Sequence, residues 1–300
     1  MFPIIPAASA AEAGNQEGIF GFGNVDAAYC SMTNLVSNAG VVATDVAGVG
    51  TARQALAACE YGGDKGIFGF GFDYNPNFTD ICNLVSNTGV VASDTAGVGT
   101  ARYGLAACEY GGDKGIFGFG ESPSTGITNL VSNAGVVASD TAGVGTGRRT
   151  LAACEYGEDK GIFGFGEIAD DVDITNLVSN AGVVASDVTG VGTARRTPAA
   201  CGYGEDKGIF GFGRPSNSPA SMTNLVSNVG VVASDTTGVG TARGILAACE
   251  YDGDKGIFGY GTTGSVTAVT NLVSNTGVVA SDQATATGTA RSGLTACSFN

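Results

Sequence analysis

One string constrains this chain more than any other. GIFGFG, or GIFGYG in the last copy, begins at Gly18, Gly66, Gly115, Gly161, Gly208 and Gly256, in steps of 48, 49, 46, 47 and 48 residues. A period of this size belongs to stacked or ring architectures, because one unit cannot bury its own apolar face. Around each copy runs the same order of pieces: LAACEY, a turn containing Asp-Lys, GIFGFG, a variable stretch, TNLVSN, GVVASD and GVGTAR. Each apolar piece is short, rich in Val, Ile, Phe or Tyr, and bounded by Gly, Asn or Asp. That pattern reads as strand and turn, with no helical period anywhere in the unit.

In the second copy the strands are predicted over 56–61, 66–71, 81–86 and 89–94, which makes the unit a four-stranded antiparallel meander. With period 2, Phe68 and Phe70 face one side of the second strand while Ile67 and Gly69 face the other, giving a large face and a small one. Val90, Val91 and Ala92 do not alternate with polar residues, so both faces of the sheet are expected to be covered. The chain enters the pattern at the second strand and leaves it with an orphan first strand, 294–299. The Asp-Lys turn occurs five times and is missing only where Asn15-Gln16-Glu17 precedes the first GIFGFG. The expectation is an all-β, six-bladed β-propeller of four-stranded antiparallel blades. It spans 15–300 after an N-terminal extension, 1–14, and the C-terminal strand closes the ring by completing the N-terminal blade, 15–45 plus 294–299.

The order of a repeat Arg such as Arg53, an inner strand, a turn, a strand ending in Gly, a loop and two outer strands resembles the kelch and galactose-oxidase group of propellers. Two departures stand out: a single Gly where kelch units usually carry a pair, and no Trp. Copper-radical chemistry of the galactose-oxidase kind needs His ligands and does not carry over. Ser93-Asp94 with Gly97 slightly resembles the Asp-box of sialidases, without its closing aromatic. The wording IFGFG, TNLVSN and GVGTAR and the MFPIIPA start are similar to repeat structural proteins of tailed bacteriophages, which implies a virion or surface-recognition role.

Composition removes whole classes of chemistry. The chain has no His, hence no imidazole base, no Ser-His or Cys-His pair and no His metal ligand. A net charge of -14 opposes binding to phosphate backbones, so no nucleic-acid partner is expected. The start lacks the charged and apolar regions of a classical signal peptide, and no run approaches the ~20 apolar residues of a membrane span. The expectation is a soluble protein without cofactor or membrane insertion.

Asp45, Asp94, Asp140, Asp187, Asp235 and Asp282 stand eight or nine residues before Arg53, Arg102, Arg148, Arg195, Arg243 and Arg291. They are read as structural ion pairs tying the last strand of a unit to the next first strand, as in Asp94 with Arg102 and Asp140 with Arg148. The Asn residues of each NLVSN are read as satisfying turn backbone. Cys59, Cys108, Cys154, Cys201, Cys249 and Cys297 recur at one place and are read as small buried apolar residues rather than metal ligands. Glu60, Glu109, Glu155 and Glu250 adjoin them and are read as solvated turn-side charge, with a cation site as the sharper alternative.

Differences among such similar repeats carry the functional information. They lie in the loops after the second strand and in the two residues after each repeat Arg, which an alternating meander puts on one face. Tyr29, Phe72, Tyr74, Phe78 and Tyr103 are the candidate aromatic platform for a sugar or protein. Arg149, Arg196 and Arg214 add positive charge on neighbouring units. Glu167, Asp170, Asp171 and Asp173 are a weak candidate cation loop without EF-hand spacing. The leading functional expectation is a non-enzymatic recognition or structural module whose partner is a glycan or protein on a cell or virion surface. The rival is a carboxylate-based glycosidase or lyase, which would need two carboxyls about 5 to 9 Å apart.

Overall fold

The computed structural model describes residues 17–74, 78–283 and 288–299. The extension 1–14 and the first two residues assigned to the ring lie outside them. Among the described residues the strands form six antiparallel sheets of three strands each. Sheet one joins Thr295–Phe299, Glu17–Val25 and Ala28–Val36, so the two ends of the chain share a sheet. Sheet two joins Ala57–Tyr61, Lys65–Gly69 and Cys82–Val85; sheet three, Ala106–Tyr110, Lys114–Gly118 and Thr128–Val131. Sheet four joins Ala152–Tyr156, Lys160–Gly164 and Thr175–Val178; sheet five, Ala199–Tyr203, Lys207–Gly211 and Thr223–Val226; sheet six, Ala247–Tyr251, Lys255–Gly259 and Thr270–Val273. Each first-named strand packs beside the first-named strands of the sheets before and after it, Thr295–Phe299 against Ala57–Tyr61 included. We call these the inner strands.

The expected fourth strand is not a strand. The segment after each TNLVSN touches its neighbour at isolated bridges, Val85 with Val91 and Cys82 with Thr95 in sheet two. Asn83 explains the break: its fully buried side-chain amide donates to Ala92 O at 3.0 Å and to Asp94 Oδ1 at 2.9 Å, taking the place of a ladder bond. The segment is also covered on one face only, since Val91 is buried while Val90 is 65% exposed.

Nor do the two phenylalanines of the middle strand share a face. Phe70 lies just past the strand at φ +63, a backbone state that costs a non-glycine residue roughly 1–2 kcal/mol and reverses the alternation. Phe68 therefore packs back on Ile19 and Phe22 of sheet one, whereas Phe70 packs forward with Ile67 on Phe117 of sheet three. The small face does receive its neighbour's ring. A Cβ on Gly21 would stand 2.7 Å from Phe68 Cζ, and the same seat holds Phe117 on Gly69, Phe163 on Gly118, Phe210 on Gly164, Phe258 on Gly211 and Phe20 on Gly259.

The repeat arginines are fully buried between sheets. Arg102 lies with its guanidinium carbon 4.3 Å from the Phe70 ring centroid of the preceding sheet, a cation–π contact. Its Nε donates to Phe119 O at 2.7 Å, Nη1 to Thr100 O at 3.1 Å and Nη2 to Asn129 Oδ1 at 2.7 Å. Asn129 in turn donates to Asp140. The Arg–Asn bond is made at 2.7 Å also by Arg53 and Arg195. In the other three copies the corresponding atoms, Arg148 Nη2 with Asn176 Oδ1 among them, lack a partner.

The acidic partner differs from the sequence expectation. Asp94 serves Arg53, which leads into the same sheet, at 3.9 Å, and not Arg102; Arg195 with Asp235 and Arg291 with Asp45 stand at 4.0 Å. Each Asp mainly accepts hydrogen bonds from the segment that leads into its own sheet, as Asp140 does from the Thr100 amide and hydroxyl. The expected link to the next first strand is therefore replaced by one within a single sheet and its incoming segment.

Substituting Arg102→Ala removes three buried hydrogen bonds, a cation–π contact and side-chain volume at one boundary. It is expected to cost about 3–5 kcal/mol, and Arg102→Lys is expected to recover little, because an ammonium cannot fork to three acceptors. Urea denaturation of both variants checks this, and a loss under about 1 kcal/mol in Arg102→Ala contradicts it. Gly118→Ala places a Cβ 2.7 Å from Phe163 Cζ and is expected to cost about 1–3 kcal/mol. Adding Phe163→Leu should lower the penalty that Gly118→Ala carries, as a double-mutant cycle will read.

Candidate functional site

The connections that vary meet at one end of the sheets. In each unit the residue after the repeat Arg bridges the residue after the Gly that follows the middle-strand Phe or Tyr. The pairs are Ser292 with Asn24, Gln54 with Phe72, Tyr103 with Glu121, Arg149 with Glu167, Arg196 with Arg214 and Gly244 with Thr262. The framework fixes both flanking residues, so these positions present one pair of side chains per unit.

The five aromatic candidates come together. Tyr29 stacks on Tyr74 with centroids 4.1 Å apart and meets Phe72 edge-on at 5.9 Å. Phe72 continues to Phe78 and Tyr103, which lie 4.9 Å from each other. Tyr74 is 60% exposed, and its hydroxyl donates to Ala27 O at 2.8 Å while accepting from Tyr29 N at 2.6 Å. Residues 75–77 between Tyr74 and Phe78 lie outside the described residues. Burial, and then the neighbouring Tyr74, push the Tyr29 hydroxyl above its usual range.

The arc continues into charge. Arg149 Nη1 donates to Tyr103 Oη at 3.4 Å and Nη2 to Glu167 Oε1 at 2.9 Å, and it lies 3.7 Å from Glu121. Glu167 accepts from Arg196 Nη1 with its other oxygen, also at 2.9 Å. Burial opposes ionisation of Glu167, but the two arginines outweigh it and hold its pKa below the usual carboxylate range. Arg214 follows, backbone-bonded to Arg196. All eight predicted face residues thus fall on one continuous arc. Gln54, Glu121 and Thr197 were missed in the sequence, although the first two occupy the same repeat positions as residues that were singled out.

The aspartate loop does not assemble. Asp171 Oδ2 accepts from Ser216 N at 2.7 Å, and among the described residues no three Cys, Asp or Glu side chains are grouped to hold a metal ion. The thiols are free, and all six of the recurring set are buried. Cys59 Sγ fills the place a Cβ of Gly115 would take.

The axial glutamates correct the sequence reading. They are not isolated turn charges: the half-buried Glu60, Glu109, Glu155 and Glu250 line one depression of about 230 Å³ that Ser298 also lines. Gly202 leaves room for them, since a Cβ there would stand 2.6 Å from Glu250 Oε2 and 3.0 Å from Glu155 Oε1. Burial, followed by the charges of neighbouring glutamates, pushes Glu109 up to about 10. The same two causes push Glu60 up to about 7 and raise Glu250. Burial raises Glu155, an effect that Glu109 and Glu250 offset in part. The four carboxyls thus stand close enough to affect one another's ionisation. A second, mostly apolar depression of about 140 Å³, lined by Leu56, Leu105, Leu151, Pro198, Leu246 and Leu294 among others, occupies the end nearer the variable pairs.

Neither a family model nor a curated protein sequence matches the chain. It is a six-repeat β-protein whose boundaries carry a recurring Arg–Asn–Asp motif. Among the described residues no helix is long and apolar enough to cross a membrane.

The axial carboxyls set a pH dependence. Their folded pKa values are raised, so the stability they confer is complete below the unfolded range near 4.5 and is lost as pH rises through about 7 for Glu60 and about 10 for Glu109. The boundary aspartates act oppositely: burial of Asp94 is outweighed by bonds from Thr51 and Asn83, its pKa is lowered, and its contribution is lost as pH falls below 3.8. Urea stability should therefore fall by on the order of 1–3 kcal/mol between pH 5 and pH 8.5. The double variant Glu109→Gln/Glu250→Gln should flatten that fall. Equal wild-type stability at the two pH values contradicts the raised carboxyls.

Proposed function

We propose that the six sheets close into a six-bladed β-propeller that works as a non-enzymatic recognition module, binding a glycan through its variable face. Closure is supported by backbone bonds running from unit to unit at the crossover: Gly104 N to Ala55 O, Thr150 N to Gly104 O, Thr197 N to Thr150 O, Ile245 N to Thr197 O, Gly293 N to Ile245 O and Ala55 N to Gly293 O. The last returns the cycle to its start. The function rests on one observation, the contiguous arc of five aromatic rings from the first three units that ends in a 60% exposed Tyr74. Exposed rings beside hydrogen-bonding side chains suit sugars, whose C–H faces stack on aromatics while hydroxyls take polar partners. The wording that resembles tail-associated phage chains gives this reading a setting, a glycan on a cell surface.

The raised carboxyls at the axis favour a second reading, a carboxylate-based carbohydrate-active enzyme with Glu109 as a protonated acid. Against it, the raised carboxyls have one another as their charged neighbours, rather than a separate ionised carboxylate that could act as nucleophile or base.

A glycan array probed with wild type, Tyr74→Ala and Tyr103→Ala tests the proposal. Wild type should bind a subset of glycans, with affinity reduced about tenfold or more in each variant, the ~1.4 kcal/mol expected for one lost stacking contact. Binding unchanged in both variants, or no glycan bound by wild type, overturns it. Turnover of a bound glycan, lost in Glu109→Gln, replaces it with the enzyme.

A further inference from the structure

We propose that Arg214, with Arg196 and Thr197, forms an oxyanion subsite of the variable face, taking the carboxylate or sulfate substituent of an acidic sugar. The inference deepens the glycan reading and rests on it for the identity of the ligand, but the subsite has its own evidence.

The charges along the arc do not balance. Three guanidiniums, Arg149, Arg196 and Arg214, face two carboxylates. Glu167 is shared at 2.9 Å between Arg149 and Arg196, and Glu121 stands 3.7 Å from Arg149. Among the described residues no carboxylate lies within ion-pair distance of Arg214. Asp171, on the facing loop, spends one oxygen on the Ser216 amide. An uncompensated arginine on a chain of net charge -14 is the opposite of what general charge balance would leave.

Two polar atoms beside it are orphaned. Arg214 Nε and Thr197 Oγ1 are both buried without a hydrogen-bond partner. They border the same spot, because a Cβ on Gly244 would lie 2.6 Å from Arg214 Cγ and 2.9 Å from Thr197 Oγ1. A buried donor left unpaired costs about 1–3 kcal/mol, and an oxyanion drawn to the half-buried guanidinium would relieve that cost by displacing the atoms that now cover Nε and the threonine hydroxyl. Burial first, and then the charge of Arg196, lower the pKa of Arg214. An anion would relieve the repulsion that the second cause represents. Beyond Arg214 the pairs become small, Gly244 with Thr262 and then Ser292 with Asn24, so no long side chain from those pairs covers the guanidinium. The aromatic arc leads toward this point through Arg149, which places an acidic substituent at the far end of a ligand lying along the rings.

Two measurements test the subsite separately from the platform. In the first, glucuronate, inorganic sulfate or chloride is titrated into the full chain while the Arg214 Nε–H resonance is followed by NMR. A saturable shift with glucuronate or sulfate, absent with chloride, is expected. Its absence with both oxyanions overturns the subsite whatever the array shows, and the oxyanion that binds better identifies carboxylate or sulfate as the source. In the second, uronic-acid, sulfated and neutral oligosaccharides are compared on wild type, Arg214→Gln and Tyr74→Ala. Wild type should favour an acidic over a neutral ligand by about tenfold, a preference that Arg214→Gln abolishes and Tyr74→Ala leaves intact while weakening all ligands. A preference retained in Arg214→Gln overturns the proposal. A saturable shift with no oligosaccharide bound sinks the glycan reading and leaves the subsite standing.

Discussion

A guanidinium sealed between sheets is the constraint on which the rest of this molecule depends. Burying a charge is costly unless it is paired and fully bonded, and Arg102 meets that condition by spending each nitrogen on a different part of the fold: the segment that leads into its sheet, the residue just past the middle strand and the outer-strand Asn. Its flat face then covers the Phe70 ring of the sheet before. Burial still pulls the guanidinium down to about 10, well above neutrality, so the charge is kept. Lysine offers neither the plane nor the fork, which is a physical reason for the same residue to stand at Arg53, Arg148, Arg195, Arg243 and Arg291.

The strained phenylalanines follow from that arrangement. At φ near +63 the Phe70 carbonyl accepts from Arg53 Nε at 2.8 Å, while its ring turns forward under Arg102 and against Phe117. A regular extended residue would send the ring back beside Phe68 and leave the next guanidinium without a partner. The backbone strain is thus offset by two contacts that exist only when both neighbours are present. Each boundary therefore stabilises the two sheets that form it, and the strand pairing of Glu17–Val25 with Thr295–Phe299 lets the first and last units share the same logic.

Much of this was legible in the repeat itself. The number of units, their antiparallel order, the pairing of the chain ends and the Phe-on-Gly seat all follow from short apolar pieces at a fixed spacing. The misreadings have specific causes. Period-2 alternation cannot anticipate a phenylalanine at positive φ, so Phe70 was assigned to the wrong face. Asn83 looked like a turn residue, yet its amide reaches sideways into the outer ladder and ends it. The Asp94 to Arg102 spacing is short in sequence, but the partner is Arg53, 41 residues earlier, which leads into the same sheet as Asp94. Glu60 and its counterparts read as solvated because one unit cannot reveal that glutamates of several inner strands line one depression. The aromatic and arginine arc was found for the opposite reason, since positions that differ inside an otherwise uniform repeat need no three-dimensional knowledge to be noticed.

Where the chain is free to vary is itself set by the boundary. The repeat Arg is held by its side chain and by its carbonyl, which accepts from the glycine after the preceding phenylalanine, as Gly71 N donates to Arg102 O at 3.0 Å. The residues one step beyond, such as Tyr103 and Phe72, inherit a fixed backbone and a side chain that no interface requires. Substitution there changes what the face presents without disturbing the guanidinium, the ring beneath it or the glycine seat. The axial carboxyls lie on the inner strands with no such freedom. Gly202 leaves the space into which the carboxylates of Glu155 and Glu250 both reach. The same repetition that makes the variable face tolerant makes the inner strands interdependent, so side chains can diversify at one more freely than at the other.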